Sequence, residues 1–320
     1  MPRLIVHLFL LGILAARTGV ASAQEFPVKP IRVITAEVGG SSDFVARVIA
    51  QGLPGILGQQ VIVENRAGGG GIIAAQLVIK APRDGYTLLL YSDGTWTLPL
   101  IQNVPYDPIS DFAPITVADR FPNILAVHPS LPVKSVKDLI ALAKARPGQL
   151  AYASGGTGSS SHLGGEMLKA MAGVNIVRVP YKGTAPAMID LISGQEQLMI
   201  ATLGGLAPHL KAGRVRALAV TSAQPTALAP GLPTVAAAGL PGYESEAKHA
   251  VFAPAGTPRA IVIRLNEEIV RLLNKSEMKE KLFNAGGEVI GNSPEQFTAM
   301  MKSDMTRLGK LFKEAGIRSD

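Results

Sequence analysis

From Ile31 onward, short apolar runs of strand length alternate with segments whose apolar residues recur every three or four positions. That alternation predicts an α/β chain of mostly parallel strands joined by helices. "IRVIT" (31–35) reads as a buried strand and "EVGGSS" (37–42) as a loop. "DFVARVIAQGL" (43–53) reads as a helix with Ser42 or Asp43 placed to cap it. The strand "QQVIVEN" (59–65), the turn "RAGGGG" (66–71), the helix "IIAAQLVIKA" (72–81) and the strand "YTLLLYS" (86–92), ending at "DGT" (93–95), continue the pattern.

After "DFAPIT" (111–116) the pattern restarts with "NILAVHP" (123–129). The next helix (135–148) has Ser135 as cap, Asp138 at the capping-box position and Pro147-Gly148 as its stop. Strands are expected at 149–154, 175–181, 195–202 and 215–222, with helices at 183–194 and 204–213 each closed by Gly. Two helices end the chain. One (257–275) has Thr257 as cap and Pro258 at its first position; the other (293–316) opens Ser293-Pro294 with Gln296 following. Phe297, Met301, Met305, Leu308 and Phe312 fall on one face of the second, which is core packing. Two α/β lobes are therefore expected, one from 24–123 plus 246–320 and the other from 124–245.

The chain opens with Arg3, an apolar run from Leu4 to Ala16 and the small-x-small triplet Ala21-Ser22-Ala23. That order predicts a secretory signal peptide (1–23) cleaved after Ala23. The apolar run falls short of the roughly 20 residues that span a bilayer, and no later stretch reaches that length. The chain contains no cysteine. It can form no disulfide and offers no cysteine for a lipid anchor, so the expected location is the Gram-negative periplasm, free of the membrane. The net charge of +7 is scattered, as at Lys134 and Lys137 or Arg214 and Arg216, with no basic stripe interleaved with aromatics. Nucleic acid is a poor partner for such a surface.

Two strand–loop–helix junctions share a composition: "EVGGSSD" (37–43) and "SGGTGSSSH" (154–162). Six of the seven residues from Gly155 to Ser161 are Gly or Ser, and none is charged. A helix N-terminus exposes unpaired N–H groups with about half a positive charge, and small residues let an anion approach them. One such junction in each lobe makes a two-sided grip on one anion. The phosphate-loop signature is absent, and "GGGG" (68–71) is not the dinucleotide fingerprint. No Gly-x-Ser-x-Gly elbow occurs. Ser160 and His162 suggest a hydrolase only weakly, because a His this close to a helix start more often braces the loop. His128, His162, His209 and His249 are dispersed, so neither a metal nor another cofactor is expected.

The blocks "NIVRVPYKGTAPA" (175–187) and "APAGTP" (253–258), with further ordered matches from Pro27 to the C-terminus, resemble the solute receptors of tripartite tricarboxylate transporters, or Bug-type periplasmic binding proteins. The resemblance implies a two-lobed, type II "Venus flytrap" α/β fold that binds a small organic carboxylate and hands it to inner-membrane transporter subunits. A monomer without enzymatic activity is expected. The family's ligand loops map onto Glu37, Val38, Gly39, Ser41, Ser42 and Asp43, and onto Ser154, Gly155, Thr157, Gly158, Ser159, Ser160 and His162. Tyr181, Gly183 and Thr184 are expected at the pocket floor, with Ser92 and Thr95 at its wall. Glu37 departs from the usual first loop and would repel an anion unless turned away. Ala201-Thr202 stands where amino-acid binders tend to carry Asp, which disfavours an amino-acid ligand. Lys248 and His249 replace a common aromatic. Lys248 would pair a second carboxylate if it faced the cleft, and is otherwise a surface charge. A sensing subunit for a membrane signalling protein is an alternative to transport.

Overall fold

The computed structural model describes residues 26–36, 38–314 and 316–317. The expected signal peptide and Glu37 lie outside the described residues. Among the described residues, ten strands form the frame: β1 (Ile31–Thr35), β2 (Val61–Asn65), β3 (Thr87–Ser92), β4 (Phe112–Val127), β5 (Ala151–Ser154), β6 (Val177–Pro180), β7 (Leu198–Thr202), β8 (Arg216–Val220), β9 (Glu246–Pro254) and β10 (Glu288–Val289). They are ordered β2-β1-β3-β9-β4-β7-β5-β6, with β8 and β10 also pairing on β4. The outer strands are parallel, β1 with β2 and β3, and β5 with β6 and β7. β9 runs antiparallel to β3 and β4, and β4 antiparallel to β7.

The apolar pattern placed most of these elements within a few residues, but it divided β4. This strand is 16 residues long and continuous where separate segments at 111–116 and 123–129 were expected. Pro114, Asp119, Arg120 and Pro122 interrupt its apolar run. Irregularities in the pairing with β9, between Pro114 and Thr116 and between Val117 and Asp119, absorb the interruptions. Residues 112–122 of β4 pair with β9, and residues 123–127 pair with β7 and β8. β9 is buried along its whole length even though it contains Glu246, Lys248 and His249.

Local capping signals succeeded where the partners lie within one turn. Ser135 accepts from the Asp138 N–H at 3.1 Å, while Asp138 accepts from the Lys134 N–H. Ser293 and Gln296 form the reciprocal capping box of helix Pro294–Glu314. Two expected caps are corrected. Helix Ser41–Gly52 is capped by Gly40, and Ser42 and Asp43 lie inside it. Helix Arg259–Leu273 has Pro258 at its cap, because the Thr257 hydroxyl donates to the Pro254 carbonyl instead.

Helix Pro294–Glu314 covers both sets of strands. Phe297 and Met301 join the core around Trp96, Phe252 and β3. Leu308 and Phe312 join the core around Leu125, Tyr152 and Met167. Trp96 meets Phe297 edge-on at 5.7 Å, a favourable aromatic geometry.

Candidate functional site

Val38, Gly39 and Gly40 of the first loop are exposed, and Ser41 is half-buried at the start of helix Ser41–Gly52. Asp43 turns inward and holds the loop from behind. Its carboxylate accepts from the Gly39 N–H at 2.9 Å, from Asn65 Nδ2 at 2.9 Å and from Arg47 Nε at 3.1 Å. Burial alone would raise its pKa, but hydrogen bonds from Arg47, Gly39 and Asn65 hold it below the usual carboxylate range. Asp43 therefore serves the shape of the loop. Ser42 is buried beside it.

The second loop, between β5 and helix Ser160–Ala172, is tied by its own hydroxyls. Ser161 Oγ accepts from the Gly155 N–H at 2.9 Å and lies 2.9 Å from Ser159 Oγ. Ser159 caps the helix by accepting from the His162 N–H. His162 Nδ1 accepts from the Gly158 N–H at 3.1 Å, so the imidazole braces the loop. Ser154, Gly155, Gly158 and His162 are buried, Thr157, Ser159 and Ser160 are half-buried, and Gly156 is exposed.

Sequence reasoning missed Arg178 on β6. Its Nε donates to Ser154 Oγ at 3.0 Å, and one terminal nitrogen lies 3.3 Å from Thr157 Oγ1 and 3.5 Å from the Gly155 carbonyl. The loop has no charge of its own, yet a guanidinium backs it, adding a fixed positive charge to the helix N-terminus. The parallel pairing of β5 with β6 sets Tyr152 opposite Arg178 and Ser154 opposite Pro180, so the neighbouring strand delivers the cation.

Both loops reach the end of β3. Ser92 lies opposite His249 in the β3–β9 register, and His249 Nε2 is 2.9 Å from Ser41 Oγ. Two residues on, a β-carbon at Gly94 would lie 3.6 Å from the Gly158 carbonyl, and one at Gly70 would lie 3.0 Å from the Thr157 carbonyl. On its other side, His249 Nδ1 is 2.5 Å from Asp119 Oδ1, and both side chains are fully buried. Asp119, His249 and Ser41 thus form a relay across β4, β9 and the first loop that the sequence did not reveal. Asp119 and His249 are 130 positions apart, and His249 and Ser41 are 208 apart.

The remaining expected site residues divide. Ser92 Oγ accepts from the Gly94 N–H, and the buried Thr95 hydroxyl donates to the Ser92 carbonyl, so both shape the turn after β3. Gly183 has open space around it, with φ +139°, and Thr184 is exposed at the start of helix Thr184–Ser193. The Tyr181 hydroxyl donates to Asp190 at 2.6 Å. Thr202 is half-buried where β7 enters helix Leu203–Lys211. Lys248 is neither a surface charge nor an unpaired cation. It is buried and donates to Asp304 at 3.3 Å in a small cavity also lined by Asp93, Glu244, Glu246 and Arg307. Among the described residues, no group of three or more His, Cys, Asp or Glu is placed to hold a metal.

Residues 45–317 match the family described as "Tripartite tricarboxylate transporter family receptor". The chain belongs to this family. It is a solute-binding receptor of the Bug type, and the family consists of receptors rather than enzymes. This receptor is 35% identical to "Protein BugT" of Bordetella pertussis, a match covering 97% of this chain and 98% of that protein. It is 40% identical to "UPF0065 protein in tcbD-tcbE intergenic region" of Pseudomonas sp. strain P51, over 94% and 91% of the two chains. Among solved structures, an R. palustris protein with adipate superposes with a TM-score of 0.85 at 40% identity, covering 92% of the receptor and 99% of that chain. MatC from Rhodopseudomonas palustris with bound malate gives a TM-score of 0.81 at 30% identity, over 89% and 99%. The periplasmic binding protein BugD gives 0.83 at 34%, over 92% and 100%. The receptor shares the two-lobed α/β fold of these periplasmic binding proteins.

Proposed function

We propose that this receptor binds a small organic carboxylate between the loops 38–43 and 154–162 and delivers it, in the periplasm, to the membrane subunits of a tripartite tricarboxylate-type transporter. One observation carries the reading: a Gly/Ser loop at a helix N-terminus, braced by His162 and backed by Arg178, reaches the same end of β3 as the loop bearing Ser41. Such a loop offers N–H and O–H donors to an anion, and Arg178 supplies the fixed charge. The neighbours with adipate and with malate support a carboxylate, and adipate is the first acid to try because that neighbour is 40% identical.

In this reading, Ser41 works from the first loop, and Thr157, Ser159 and Ser160 from the second. Asp43 and His162 hold those loops in shape, and Tyr181, Gly183 and Thr184 complete the floor. The lobes comprise 24–123 with 246–320, and 124–245. They close about the strands near residues 118–126 and 240–250.

The test is mass spectrometry of whatever co-purifies with the protein, followed by calorimetry of refolded, ligand-free protein with adipate, malate and a panel of other mono- and dicarboxylates. A carboxylate bound near one per chain supports the reading. Indifference to every acid in the panel overturns it.

A further inference from the structure

We propose that the Asp119–His249–Ser41 relay makes carboxylate binding proton-coupled, because Ser41 turns its hydroxyl proton toward the ligand only when the buried Asp119–His249 pair holds one extra proton. This rests on the carboxylate reading above and adds to it the residue that selects the ligand's hydrogen-bonding character.

An ionised carboxylate only accepts, so an Asp119 carboxylate 2.5 Å from His249 Nδ1 takes that nitrogen's hydrogen. A neutral imidazole then leaves Nε2 as an acceptor. Ser41, 2.9 Å away, must give its hydroxyl hydrogen to Nε2 and can present only lone pairs to the cleft. Lone pairs repel a carboxylate. With one more proton on the pair, Nε2 carries a hydrogen and donates to Ser41 Oγ, which frees the hydroxyl hydrogen for the ligand. The outcome is the same if the extra proton sits on Asp119, since a neutral Asp119 donating to Nδ1 also leaves the hydrogen on Nε2.

The surroundings seal the pair from solvent. Asp119 and His249 are both fully buried, and Asp119 Oδ2 has no hydrogen-bond partner among the described residues. Burial pushes the Asp119 carboxyl up, while His249 opposes the shift. Most other charged groups close to the pair have partners of their own. On the first helix, Asp43 is held by Arg47 and Asn65. On β9, Lys248 is paired with Asp304 of the C-terminal helix. On β10, Glu288 is paired with Arg120. Asp93, buried just after β3, lies beside Lys248 in the cavity and also feels His249. With its own pKa pushed up to about 7 it titrates in the same range as the binding test, so the pair is tested in the Asp93→Asn background. The edge of Phe121 packs on the imidazole at 5.3 Å.

The sign follows by linkage. The liganded site holds more protons than the empty one, so affinity is highest at low pH. It falls as pH rises, by up to about tenfold per pH unit once the empty pair has lost its extra proton.

The experiment is calorimetry, in the Asp93→Asn background, of adipate binding, or of the tightest acid in the panel, at pH 6, 7 and 8 in buffers of low and high ionisation enthalpy. Proton uptake approaching one per ligand at pH 8, with affinity falling from pH 6 to pH 8, is the expected result. His249→Gln, whose amide can donate to Ser41 at every pH, should bind without proton uptake. Ser41→Ala, at a half-exposed position that does not threaten folding, should bind more weakly and lose most of the coupling. Binding with no proton exchange and flat affinity from pH 6 to pH 8 overturns the relay and leaves the carboxylate reading standing. Failure of every acid in the panel overturns both.

Discussion

The indole N–H of Trp96 donates to Asp304 Oδ2 at 3.3 Å, joining residues 208 positions apart. Asp304 also accepts from Lys248, so one carboxylate on the C-terminal helix satisfies a buried indole and a buried ammonium. Removing one partner of a buried ion pair leaves the other charge uncompensated. Asp304→Ala should destabilise the protein by about 3 kcal/mol, the lower end for a broken buried pair. Asp304→Asn, which can still accept from Trp96, should lose less. Urea unfolding followed by Trp96 fluorescence measures both.

Asp93 lines the same cavity, and burial pushes its pKa up to about 7, with Lys248 opposing the shift and Asp304 adding to it. An unfolded Asp titrates near 3.8. Between those values the folded chain holds more protons at this position than the unfolded one. Its contribution to stability is therefore present at low pH and is lost as pH rises toward 7. Asp93→Asn, which cannot ionise, should gain stability relative to the parent between pH 4.5 and pH 7.5. Parallel denaturant melts at those two pH values check the sign; a constant difference would remove Asp93 from the account.

Arg178 should matter more to binding than to folding, because it lies half-buried on a short strand and holds the Ser154–Thr157 segment. Hydrogen bonds to charged groups contribute about 1.5–3 kcal/mol. Arg178→Met should weaken carboxylate binding by about tenfold or more, with little change in melting temperature of the ligand-free protein. Calorimetry beside a thermal melt separates the two.

Gly158 has φ +81°, and a β-carbon there would lie 2.6 Å from Leu98 Cδ1. Gly158→Ala therefore meets two obstacles, a left-handed backbone costing about 1–2 kcal/mol and a direct clash. Adding Leu98→Ala should relieve the clash and leave the backbone cost. The double variant should bind carboxylate better than Gly158→Ala alone, as read by titration.

Legibility followed the range of the interactions. Ser135 with Asp138, and Ser293 with Gln296, were readable because their bonds close within one turn. The two Gly/Ser loops were readable as a composition. Asp43 does not cap its helix, since Gly40 holds that position and Gly39, Asn65 and Arg47 claim its oxygens. β4 and β9 broke the apolar pattern because Asp119, Lys248 and His249 are buried, and their partners come from distant parts of the chain. Arg178 stands among the apolar residues of a short strand with no local mark of a role. Its function depends on β6 lying beside β5, which no local pattern encodes.

β4 pairs first with β9 and then, from Asn123 onward, with β7 and β8, without a loop between. Where the partners change, the Thr221 hydroxyl donates to the Ser245 carbonyl and lies 3.0 Å from the Asn123 carbonyl, and the Asn123 amide reaches the Ser245 carbonyl at 3.4 Å. A ribbon clamped this way behaves as a torsion spring rather than a pin joint. Any rotation of one half against the other must be shared as small dihedral changes along the strand. Stiffening that short stretch would raise the cost of turning one half against the other without altering a single group that touches the ligand.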